Sequence, residues 1–64
     1  MNFIRAMRTS GAQVMINPKH IAAMEHQEAD NLNYTAIVLV NGREIDVQES
    51  LEDLAQQLAQ LGEP

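Results

Sequence analysis

The sequence predicts an α+β domain: a small curled antiparallel sheet of about five strands with one C-terminal helix packed on it. Three observations predict it. Turn residues recur at short intervals between Ser10 and Gly42. The segments they separate are strand-sized, and several are rich in apolar and β-branched residues. Helical periodicity is clearest in the last segment, after Ser50. The 64 residues leave room for one domain, spanning 1–64.

The first strand, about 3–9, runs from Phe3 to Thr9 and mixes apolar with basic residues. Ser10-Gly11 is a turn signal, because glycine reaches positive φ without strain. A second strand, about 12–16, follows through Val14-Met15-Ile16, and the two read as a β-hairpin. Asn17-Pro18 ends it, since proline cannot donate to a ladder and restricts the residue before it. Pro18-Lys19-His20 is expected to form one tight turn. Ile21 to His26 contains helix-favouring alanines, Met24 and Glu25. Its shortness and its flanking turn signals make it a strand instead, about 21–26. Gln27 to Asn33 is polar and reads as a mobile loop.

Tyr34 to Val40 is the strongest strand signal, about 34–40, and is nearly all apolar. Asn41-Gly42 predicts a two-residue type I′ turn, which needs positive φ at both positions. Arg43 to Val47 alternates strictly (strand about 43–48), sending Ile45 and Val47 to the core and Glu44 and Asp46 to water. The helix, about 51–61, begins at Ser50 as N-cap, with Asp53 placed to close a short-armed capping box. Leu51, Leu54, Leu58 and Leu61 form its apolar stripe, with Gln56, Gln57 and Gln60 off it. Leu54 and Leu58 are expected to anchor it on Ile37, Leu39, Ile45 and Val47. Gly62 is a natural stop and Pro64 confirms it.

Nine acidic residues against four basic ones give a formal net charge of −5. Arg5, Arg8, Lys19 and Arg43 are the whole basic supply. A duplex-binding face must displace counterions from phosphate, so DNA is not an expected partner. The longest apolar run, Ala36 to Val40, is too short to span a bilayer, and the first residues lack the apolar core of a signal peptide. No membrane insertion and a cytoplasmic location are therefore expected. The absence of cysteine excludes disulfides and thiolate metal sites.

No catalytic constellation is legible. On one strand His20 and His26 would lie about 20 Å apart, too far to share an ion. Ser10 and Ser50 are explained by a turn and a cap, and the three glycines sit at turns rather than in a phosphate loop. The chain is accordingly expected to have no catalytic residues, no metal and no cofactor, and not to be an enzyme.

The turns and strands combine into a familiar order. Arg8-Thr9-Ser10-Gly11 leads to Val14-Met15-Ile16-Asn17-Pro18, then Ile21 and Glu25, then Thr35-Ala36-Ile37-Val38-Leu39, Asn41-Gly42 and Val47-Gln48-Glu49-Ser50. This order resembles the small flagellar-operon proteins of the FlbD type, also called swarming-motility SwrD proteins. The resemblance implies a cytoplasmic bacterial accessory factor without enzymatic activity. Ile21 to Leu54 is also similar to part of a LytTR-type domain, whose basic strand-loop residues are mostly missing here.

The expected function is a non-enzymatic protein-interaction module with an unidentified protein partner. Arg5, Arg8 and Arg43 are assigned to partner contact, because arginine is enriched at interfaces. A homodimer is expected as well, since a core this small supplies only roughly 3–5 kcal/mol. Its route would be the edge of the first strand or the stacking of open sheet faces. The alternative is a small nucleic-acid-binding or phage-encoded regulator, which would need all four cations on one face.

Overall fold

The computed structural model describes residues 2–61. In chain order it contains β1 (Ile4–Met7), β2 (Gln13–Ile16), a 3₁₀ turn (Pro18–His20), β3 (Ile21–Ala29), β4 (Leu32–Leu39), β5 (Glu44–Val47) and α1 (Leu51–Leu61). The stop assigned to Gly62 and Pro64 lies outside the described residues.

The strands form two antiparallel sheets, not the single five-stranded sheet expected. β1 pairs with β2, and β3, β4 and β5 make a second sheet in that order. The reason lies between β1 and β5. They meet at one bridge, Arg8 with Val47. Beside it the Thr9 N–H donates to the Asp46 carbonyl at 3.1 Å, and the Gln48 N–H donates to the Met7 carbonyl at 2.8 Å. Further along β1, side chains replace a neighbouring strand.

Two hairpins share one turn design. Arg8 N–H donates to Ala12 C=O at 2.7 Å and Gly11 N–H to Arg8 C=O at 2.8 Å. Likewise Leu39 N–H donates to Arg43 C=O at 2.8 Å and Gly42 N–H to Leu39 C=O at 2.9 Å. Each is a three-residue connection closed by a glycine at positive φ, 101° at Gly11 and 91° at Gly42. The two-residue type I′ turn expected at Asn41-Gly42 is therefore absent, because Val40 and Asn41 occupy the central positions. Val40, expected to end a strand, is 65% exposed in that turn.

The type I′ geometry occurs instead at Asp30 and Asn31, with φ of 50° and 64°. Gln27 to Asn33 is thus not a loop: β3 and β4 pair out to Ala29 opposite Leu32. Its polar composition reflects exposure rather than lack of a ladder. β5 pairs with β4 only as far as Thr35 opposite Val47, so the hairpin tip beyond is a two-stranded ribbon. The fold is correspondingly long, 40 × 23 × 19 Å.

The core is one cluster of Ile4, Ala6, Ile16, Ile37, Ile45, Val47 and Leu54. Alternation along β1 and β5 delivers its strand members. From the helix, Leu54 is fully buried, and Leu58 and Leu61 pack half-buried against the cluster. Leu39 and Met24 flank it from the larger sheet. Asp46 departs from its expected solvent position. It is half-buried, and its Oδ1 is buried with no hydrogen-bond partner among the described residues.

Ser50 caps α1 as expected: its Oγ accepts the Asp53 N–H at 3.1 Å and its carbonyl accepts the Leu54 N–H at 3.0 Å. Leu54→Ala removes the helix's only fully buried side chain and should cost about 2–5 kcal/mol. Thermal unfolding followed by circular dichroism should show the midpoint falling by more than about 10 °C. A midpoint within a few degrees of the parent would mean that the helix does not rest on this leucine.

Candidate interaction surface

The two edges of the β1–β2 hairpin are treated in opposite ways. Because the Arg8 N–H points to β2, alternation sends the main-chain groups of Arg5, Met7 and Thr9 outward from β1. Every one of these N–H groups has a partner. The Gln57 side-chain amide grips Arg5 at both ends: Arg5 N–H donates to Oε1 at 3.0 Å and Nε2 donates to the Arg5 carbonyl at 2.9 Å. Glu49 Oε1 accepts the Met7 N–H at 2.9 Å. The Met7 carbonyl and the Thr9 N–H take the main-chain bonds to Gln48 and Asp46 given above. Gln48 Nε2 also donates to the Arg8 carbonyl at 3.0 Å. Glu49 is itself fixed from the other sheet, where the buried Thr35 hydroxyl donates to its carbonyl at 2.7 Å.

This closes the edge through which self-association of the first strand was expected. Neither Gln57 nor Glu49 carried a legible signal for the role. Gln57 lies off the leucine stripe, and its partner is 52 residues away in sequence.

The other edge is open. By the same alternation the main-chain groups of Gln13 and Met15 point away from β1, and they have no partner among the described residues. Across the hairpin face, from this edge to Glu49 on the sealed one, lies a shallow groove of about 470 Å³. Arg5, Met7, Gln13, Met15 and Glu49 line it, and Met15 is 57% exposed. The surface is mixed: thioether and alkyl carbon, one guanidinium and one carboxylate.

The three arginines assigned to partner contact do not converge. Arg5 is exposed and lines this groove. Arg8 is half-buried at the far end of β1, at the bridge to Val47. Arg43 is exposed at the β4–β5 turn, its N–H donating to Asn41 Oδ1 at 3.0 Å, at the opposite end of β5 from Val47. Next to Lys19, the His20 carbonyl accepts the Val40 N–H at 2.8 Å, which sets that 3₁₀ turn beside the β4–β5 connection. Both histidines are exposed.

A family model described as flagellar and swarming motility proteins, FlbD, matches residues 3–62. The chain belongs to the FlbD family. Neither the curated proteins nor the solved structures offer a match to it. The match spans all three hairpins and the helix, so the elements that seal β1 and the open edge of β2 all lie within the FlbD-matched region. No helix among the described residues is long and apolar enough to cross a membrane.

Gln57→Ala should destabilise the fold by about 1 kcal/mol, as two solvent-exposed hydrogen bonds exchange for water. Glu49→Ala removes a charged acceptor from a partly buried N–H and should cost more, about 1.5–3 kcal/mol. Urea denaturation orders the two. Glu49→Ala unfolding at the parent's midpoint would show that β1 does not depend on that carboxylate.

Proposed function

We propose that this FlbD-family chain serves flagellar and swarming motility as a non-enzymatic, cytoplasmic protein-interaction module, and that it forms a homodimer. The observation that carries the reading is the contrast between the sealed edge of β1 and the open edge of β2, with a groove across the hairpin face between them. An unpaired strand edge beside a mixed apolar groove suits capture of an extended segment: main-chain bonds give affinity and alternate side-chain contacts give specificity. Arg5 is the arginine placed to meet such a segment. Arg8 and Arg43 would contact a partner only where it reaches the ends of β5.

Several polar side chains are already employed in holding the fold. The Ser50 hydroxyl caps the helix, the Thr35 hydroxyl holds the Glu49 carbonyl, and Glu49, Gln48 and Gln57 hold β1. That occupation supports binding over catalysis.

The test is a motility assay in the bacterium that encodes the chain. Deletion of the gene should shrink the swarming or swimming zone, and the wild-type gene should restore it. Met15→Asp places a carboxylate in the groove at an exposed position and should fold normally while failing to restore spreading. A deletion strain that spreads like its parent would overturn the motility role. Full rescue by Met15→Asp would overturn the groove.

A further inference from the structure

The longest open strand edge among the described residues is on β3, not β2. The closing pair Ala29 and Leu32 fixes the alternation along this strand: residues 29, 27, 25 and 23 bond to β4, leaving the main-chain groups of Met24, His26 and Glu28 pointing outward. They have no partner among the described residues. Beyond Thr35 the β3–β4 hairpin has no third strand, and a two-stranded ribbon in water is marginal by itself. Yet no proline and no lysine guards the edge from Ala22 to Ala29.

We infer that two copies of the chain pair antiparallel through β3, about a two-fold axis at His26, joining their larger sheets into one continuous sheet. The inference rests on the self-association reading above and specifies its surface. The sequence of the edge selects the second copy and the register. With His26 opposite its own counterpart, Met24 faces Glu28 of the partner subunit and Glu28 faces the partner's Met24. All three outward-pointing residues then find outward-pointing partners, giving about six main-chain hydrogen bonds. On the other face Glu25 meets the partner's Gln27, and no carboxylate stands directly opposite another. Sliding one step toward Met24 sets Glu25 against the partner's Glu25, a destabilising like-charge pair. Sliding one step toward the tip leaves Met24 opposite a turn residue and loses a third of the bonds. β2 offers only Gln13 and Met15, so it cannot match this length.

The absence of cysteine from the chain makes the register directly testable. In the inferred dimer the two His26 Cα atoms lie about 5.5 Å apart, within the about 4.4–6.8 Å that a disulfide accepts. His26→Cys should form an intersubunit disulfide under mild oxidation at tens of micromolar, at least ten times faster than Met15→Cys on the β2 edge. His26→Pro removes an outward N–H that β4 does not use. It should keep the far-ultraviolet spectrum and raise the dimer dissociation constant at least tenfold. If the parent sediments as a dimer but Met15→Cys links as fast as His26→Cys, the β3 pairing is wrong and self-association stands. If the parent sediments at its chain mass of 7.1 kDa at these concentrations, both fall. Should the proline variant unfold, the cross-linking rates decide alone.

Discussion

The main-chain groups on the outer side of β1 must find partners, and the rest of the structure is arranged around supplying them. β1 carries Ile4 and Ala6 into the core, so it cannot drift to solvent. It meets β5 at a single bridge and does not pair with it along its length. A primary amide has a donor and an acceptor spaced like those of a peptide unit, so Gln57 can stand in for one residue of a missing strand. A carboxylate only accepts, and Glu49 meets an N–H while the adjacent carbonyl is served by the Gln48 backbone. Donors and acceptors match in order. With Ser50 fixing one end of the helix and Gln57 fixing it two turns on, Leu54 between them is driven into the core.

The same constraint explains what was legible in the sequence. The helix and β5 were readable because each has a local signature: cap and leucine stripe for one, strict alternation for the other. The hairpin at Ser10-Gly11 was readable from its glycine. The β3–β4 tip was not. A ribbon exposed on both faces needs no apolar alternation, and its turn uses Asp30-Asn31, which tolerate positive φ but lack the glycine that usually marks such a turn. At Asn41-Gly42 the dipeptide pointed to a two-residue turn, but Ile45 must face the same side as Ile37, and they pair directly. Register decides the loop length there, since a slip of one residue would turn Ile45 and Val47 to water. The candidate surface was legible only at Arg5. Edge sealing by Glu49 and Gln57 is a long-range pairing that no local pattern announces.

Charge is distributed along the long axis. Lys19 and Arg43 lie where β3 begins, with Glu44 beside Arg43, while Glu25, Glu28 and Asp30 lie toward the hairpin tip. A net charge of −5 discourages indiscriminate contact between copies, yet it acts through a screened field that fades over about 10 Å. The proposed register of β3 keeps its carboxylates from standing directly opposite one another, where repulsion would be greatest.

Three strand edges thus receive different treatments, and the difference follows from position. The outer edge of β1 is partly buried at Met7, where an unpaired N–H would be costly and the Glu49 carboxylate satisfies it, and exposed at Arg5, where the Gln57 amide takes the place of water. The edges of β2 and β3 face solvent, where water satisfies them at little cost. Natural proteins commonly blunt such edges with lysine, proline or a bulge. β3 has a bulge only at its start, between Ile21 and Ala23, and none along the stretch that faces outward toward the tip. Stability of the monomer does not require that stretch to stay straight and free of guards, because half of it lies beyond the core. Pairing with another strand does require it. The geometry of β3 is thus better accounted for by a strand laid against it than by the needs of the isolated fold.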